Sequence, residues 1–208
     1  EVSLSIEDES ASKQKITNIL RKRNHLILLA QNQTGLNNIF KLISESTRDE
    51  NFYRYPRIDY NLLSRYSDGV VASSACLGGV YAGDYWDNRD SGELAEDAIL
   101  NAMRKTTRRM QSIFGDRWYG ELQWNNIPAQ HELNKYIIQV CREFDVKLIS
   151  TADSHYPNPD AWKDRELYKR IGWLGKGGLP EYMSHELPSG VEEIGYEIYP
   201  KNGNQMWE

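Results

Sequence analysis

The chain is short of cysteine and has no excess of positive charge. Only Cys76 and Cys141 occur among its 208 residues, far apart and in no C-x-x-C pair. That argues against a disulfide framework and fits a reducing, cytoplasmic compartment. Lysine and arginine number 25 against 30 acidic residues, giving a net charge of −5. A protein that coats DNA regardless of sequence is usually basic, so nucleic-acid contact here must be local or the work of another part of a larger protein. No apolar run approaches the roughly 18 residues of a membrane helix, and no signal peptide is legible, so no membrane partner is expected. With 15 Gly and 7 Pro the chain lacks the bias of a disordered segment. Repeats and low-complexity tracts are absent. The first residue is Glu rather than Met, which suggests a start inside a longer protein. The length suits one domain or a large piece of one.

What is present is an alternation of apolar runs and helical periodicities. "HLILLA" reads as a strand, and after Gly35 the residues Leu36, Ile39, Phe40 and Ile43 recur at helical spacing. Asp59 in "PRIDYNLLSRYS" is placed to cap a short helix. Val70, Val71 and Ala72 form a strand in "DGVVASSACLGG". Between Ser91 and Phe114 lies a long amphipathic stretch. Leu94, Ala98, Met103, Met110 and Ile113 mark its buried side, and Arg104, Lys105, Arg108 and Arg109 its exposed side. "GDRWYGELQW" is a further strand, and "PAQHELNKYIIQVCREFD" a helix with Leu133, Ile137, Val140 and Cys141 on one stripe. That helix runs into the strand "VKLIS". Strand–helix alternation with short links predicts an α/β fold with a parallel sheet or barrel. The tail from about Gly172 reads as loop before a short helix in "KNGNQMWE".

The stretch that points to chemistry is "KLISTADSHY". In an extended segment residues i and i+2 face the same side, so Asp153 and His155 would meet at the carboxyl end of a strand. Ligand sites of α/β sheets and barrels lie there. An Asp-x-His at that place suits metal binding or acid–base work; a turn-capping Asp and a solvated His are the structural alternative. Cys76 sits among Ser73, Ser74, Ala75, Gly78 and Gly79, small residues that permit close backbone approach. A thiolate beside imidazole and carboxylate suits zinc, although a lone Cys is more often a small buried hydrophobe. His25 opens its strand, which by the carboxyl-end rule puts it at the wrong rim. Arg57 reads as a phosphate ligand or a salt-bridge partner, and Arg104–Arg109 as a solvated face more often than a DNA contact. Glu121 or Gln123 is a candidate to line the mouth. Trp118 is assigned to the core, Trp124 to the rim, Cys141 to the core and His131 to the surface; His185 has no expected role.

Taken together, "HLILLAQNQTGLNNIFKLIS", "YPRIDYNLLSRYSDGVVASSACLGG", "FGDRWYGELQ" and "ISTADSHY" resemble consecutive blocks of the PHP (polymerase and histidinol phosphatase) domain of bacterial-type DNA polymerase III alpha subunits. The resemblance implies part of a distorted seven-stranded (β/α) barrel whose mouth binds up to three divalent ions, zinc or manganese, through nine His, Asp, Glu and Cys residues. It assigns Asp153, His155, Cys76, His25 and, weakly, Glu1 to that set. It places the family's opening His-x-His, the following Asp and an Asp-x-x-His-Gly block upstream of Glu1. The implied activity is metal-dependent 3′–5′ exonuclease hydrolysis, once the site is complete. The implied partners are a DNA 3′ end, the rest of the polymerase alpha subunit and a proofreading exonuclease subunit. Two other roles fit the same residues: a non-catalytic scaffold for polymerase and exonuclease assembly, and a small-molecule phosphatase of the histidinol phosphate type.

Overall fold

The computed structural model describes residues 23–52, 55–125, 127–178 and 198–207. Four strands form one open sheet in the order β1-β2-β3-β4, with helices in the links. The chain divides into two compact units, Glu1–Tyr119 and Gly120–Glu208.

In the first unit, β1 (Ile27–Ala30) leads into α1 (Gln33–Ser46). Asn32 starts α1 by accepting the Gly35 amide on its side chain at 2.9 Å, which satisfies one of the orphan donors of the first turn. Gly35 is required there, because a Cβ would stand 1.8 Å from the Gly69 carbonyl oxygen. The short helix α2 (Tyr60–Arg65) is capped by Asp59, whose carboxylate accepts the Leu62 amide at 2.8 Å, as expected. β2 (Val70–Ser73) follows, then α3 (Val80–Asn88), a 3₁₀ turn, and the 20-residue α4 (Ala95–Phe114). Ile99, Leu100, Met103, Met110 and Phe114 of α4 are buried with Tyr81 and with Trp118 of β3 (Trp118–Gln123). Inside this core, Trp118 donates to the Tyr81 hydroxyl at 3.0 Å, and that hydroxyl pairs with Thr107 at 2.8 Å.

Two expectations change here. The sheet is mixed, since β1 runs antiparallel to β2 (Ile27 opposite Ser73, Ala30 opposite Val70) while the β2–β3 pair is parallel. The buried stripe of α4 is also turned from the expected one: Leu94 precedes the helix and is 69% exposed, and Ile113 is only partly covered.

In the second unit, Gly120 of β3 meets α5 (Pro128–Glu143) closely; a Cβ there would lie 2.4 Å from the Cys141 sulfur. Pro128 opens α5, where its missing N–H costs nothing. Leu133, Ile137, Val140 and Cys141 form the buried stripe that the spacing predicts. β4 (Lys147–Thr151) neighbours β3. The helix α6 (Trp162–Leu174) passes through Gly172, where the sequence reads as loop; residues 179–197 of that tail lie outside the described residues, and a short helix α7 (Gly203–Trp207) stands in "KNGNQMWE" as read.

Candidate functional site

His25 and Cys76 come together in the first unit. The antiparallel pairing of β1 and β2 puts the start of β1 beside the end of β2, so a residue that opens one strand reaches the residues that follow the other. The wrong-rim objection to His25 assumed parallel strands. The His25 amide donates to the Gly78 carbonyl at 2.7 Å, and His25 forms a bridge with Gly79. The imidazole then lies over Gly78 with Nδ1 3.4 Å from the Cys76 sulfur.

The segment 74–79 is built for this approach. Ala75 adopts φ +60°, a left-handed conformation unusual for a residue with a side chain. The Gly79 amide closes the turn on the Cys76 carbonyl at 2.7 Å. A Cβ on Gly79 would stand 1.9 Å from the Ser74 carbonyl oxygen. The small residues around Cys76 therefore serve a close backbone approach, and Cys76 stays partly exposed while Cys141 is buried. Sulfur and imidazole nitrogen at 3.4 Å match the roughly 3.6 Å expected between two ligands of one tetrahedral zinc ion at ordinary bond lengths. The donor chemistry, a soft thiolate with an imidazole, suits the same ion.

Asp153 and His155 lie in the second unit, just beyond β4. They do meet, but not through strand alternation. β4 ends at Thr151, and Asp153 takes φ +46°. This left-handed residue turns the chain so that His155 Nδ1 lies 2.6 Å from the Asp153 backbone carbonyl. A carbonyl only accepts, so Nδ1 carries the proton and Nε2 is the nitrogen left to ligate. An imidazole that ligates a metal is commonly fixed in this way. His155 Nδ1 and the Asp153 carboxylate are 3.9 Å apart at partial exposure, beyond hydrogen-bond reach. From the tail, the Ile198 carbonyl accepts the His155 amide at 2.7 Å, and Ile198 packs with Tyr156 and Trp162.

Glu121 and Gln123 are both buried, at 1% and 2% exposure, so neither lines an open mouth. Thr151 donates to the Glu121 carboxylate at 2.6 Å, and the Gln123 amide donates to it at 3.2 Å. Glu121 thus ties β3 to the last residue of β4, two residues before Asp153. The sequence signal for this was a Thr closing an apolar run opposite a Glu in another. Arg57 spends its Nε on the Asn51 carbonyl at 3.2 Å within its own loop. Trp118 is core, Trp124 is exposed and donates to Ser150, and His131 is exposed. Glu1 and His185 lie outside the described residues. Among the described residues no three His, Cys, Asp or Glu side chains group closely enough to hold a metal ion together, and none of the helices is long and apolar enough to cross a membrane.

Residues 1–125 match the PHP domain family. The chain is 43% identical to the DNA polymerase III subunit alpha of Aquifex aeolicus over 69% of its own length and 12% of that protein. It is 37% identical to the subunit of Borreliella burgdorferi over 88% of the chain and 14% of the relative. For Campylobacter jejuni the values are 30%, 90% and 15%. The chain therefore spans about an eighth to a seventh of the length of these relatives. With more than half of its residues matched by that one family, the chain belongs to the PHP domain family.

Proposed function

We propose that this chain is the PHP segment of a cytoplasmic replicative DNA polymerase of the polymerase III alpha type. On this reading it supplies part of a barrel whose completed mouth hydrolyses phosphodiester bonds at a DNA 3′ end. The observation that carries it is the His25–Cys76 pair, two soft donors brought within 3.4 Å by an antiparallel strand pair and a glycine-bearing turn. A solvated His and a buried Cys would need neither the left-handed Ala75 nor the close approach of Gly79.

His25 and Cys76 would hold one divalent ion, zinc or manganese, and Asp153 and the Nε2 of His155 are retained as metal ligands in the second unit. Glu1 is kept as a further ligand. A bound ion of this kind supplies Lewis-acid activation of water and charge stabilisation on a scissile phosphate. The protein's own part is to present the donors. Gly78 and Gly79 hold the His25 ring against the thiol. The Asp153 carbonyl fixes the His155 tautomer. The Glu121–Thr151 bond steadies the strand end from which Asp153 turns. Arg57 is retained as the phosphate contact on the strength of its partly exposed side chain, whose Nε donates to the Asn51 carbonyl.

A second reading is a non-catalytic scaffold for polymerase and exonuclease-subunit assembly. It draws support from the absence of any three-ligand group among the described residues. A histidinol-phosphatase-type activity draws none from the relatives above, which are all polymerase subunits.

Metal content after dialysis, read by elemental analysis, separates the readings. The chain is expected to retain zinc or manganese below three equivalents, and Cys76→Ser and Asp153→Asn to retain less, with unchanged circular dichroism. In a protein carrying the family's remaining motifs, Asp153→Asn is expected to abolish removal of 3′ nucleotides from an end-labelled primer. Metal content equal in all three proteins would overturn the assignment and leave the scaffold.

A further inference from the structure

A second candidate site lies in the first unit, on the other side of the chain from the His25–Cys76 pair. In the extended lead-in to β1, His25 faces Gly78 and Cys76, whereas the Asn24 side chain faces Gly83. Asn24 and Leu26 therefore share a face that His25 does not. On that face is a cavity of about 240 Å³. Its floor is apolar, made of Leu63, Val80 and Met110, all of them buried. Its rim carries Arg23, Asp59 and Tyr60. Two guanidinium groups stand on aromatic faces beside it: Arg23 at 3.9 Å from the Tyr55 ring centre, and Arg109 at 4.5 Å from that of Tyr60. Both arginines are exposed.

We infer that this cavity is a nucleotide site, taking one base between Tyr60 and the apolar floor with its phosphate at Arg23 and Arg109. Size restricts the ligand first. Drug-sized ligands occupy about 300–1,000 Å³, and a cavity of about 240 Å³ suits a single ring system. Chemistry restricts it next. An apolar floor beside an aromatic ring accepts a flat base of any sequence by stacking. Asp59 is held in place by capping α2 and has acceptor capacity left on its carboxylate for an exocyclic amine. Arginines laid on aromatic rings keep their donor edges available, the arrangement that suits bidentate phosphate contacts. A purely apolar ligand would leave the charged rim of Arg23 and Asp59 unmatched, and a free phosphate would leave the floor unused. The ligand is either a free nucleotide or one nucleotide of a single strand. The site draws nothing from the proposed metal ligands, and its test does not involve metal.

The experiment is equilibrium binding of adenosine 5′-monophosphate, and separately of a short single-stranded oligodeoxyadenylate, to the intact chain in the presence of a chelator. Arg23→Gln and Arg109→Gln are each expected to weaken binding about five- to tenfold, the usual loss for one charge-assisted contact. Lys163→Gln, an exposed charge change in the other unit, should leave it unchanged. Both arginines are on the surface, so folding should survive, and circular dichroism checks this. Mononucleotide binding with this pattern supports a free nucleotide; oligonucleotide binding alone, with the same pattern, supports a strand. No saturable binding of either probe, or equal weakening by Lys163→Gln, would overturn the inference.

Discussion

Asp153 illustrates what alternation along a strand can and cannot tell. The i, i+2 rule correctly brings Asp153 and His155 together, but the chain achieves it with a left-handed residue and a backbone carbonyl rather than with the pleat. The carboxyl-end rule, which set His25 at the wrong rim, assumed a strand direction that only the sheet reveals. The two thiols were legible because each carried local context. Cys141 sits on an apolar helical stripe, and Cys76 sits among glycines and serines. The structure buries the first and leaves the second partly exposed. Labelling of the metal-free native protein with a thiol reagent should therefore modify Cys76 well before Cys141, the order read by peptide mass mapping. Simultaneous modification, or Cys141 first, would contradict this packing.

At the scale of elements, α5 could be read outright and α1 and α6 could not. Helical periodicity states that a helix has an apolar face; it does not state what covers it. In α5 the stripe faces β3, and the reading holds. In α1 the stripe Leu36, Phe40 and Ile43 is 38–58% exposed, while Gly35, Asn38, Leu42 and Ser46 are buried. The buried face there is set by backbone approach to Gly69 and by the Asn38 bond to the Asp68 carbonyl at 2.9 Å, neither of which leaves an apolar signal. In α6 charged residues follow Trp162 on the buried face. Glu166 and Arg170 are buried and joined at 3.3 Å, while Leu167, Tyr168, Ile171 and Leu174 face outward. Because α1 gains little from apolar burial, its cap should matter more than usual. Asn32→Ala removes the side-chain acceptor for Gly35 and is expected to lower stability by about 1 kcal/mol, as N-cap losses do. The check is a shift in the urea midpoint with an unchanged slope. A midpoint within error of the parent would mean that α1 is held by something other than its first turn.

At the scale of the whole molecule, the exposed apolar faces and the coverage of the relatives bear on the same behaviour. Leu29 on β1 is 59% exposed, and Phe40 and Ile43 on α1 nearly as much. β1 ends the sheet order, so one of its edges has no strand partner among the described residues. Edges of this kind recruit further strands, and contiguous apolar surface recruits other protein. The barrel implied by the family could not be read as a closed object from this chain, since the described strands form an open sheet and the relatives are some seven to eight times longer than the chain's match to them. The isolated chain should therefore associate with itself as its concentration rises, and sedimentation velocity should show the average mass increasing across the micromolar range. Phe40→Lys together with Ile43→Lys adds charge to a surface that the fold leaves uncovered. The double variant should keep its circular dichroism and remain monomeric at concentrations where the parent associates. If the parent is monomeric throughout, the exposed faces are not adhesive. If the variant associates as strongly as the parent, the adhesion comes from a surface other than α1.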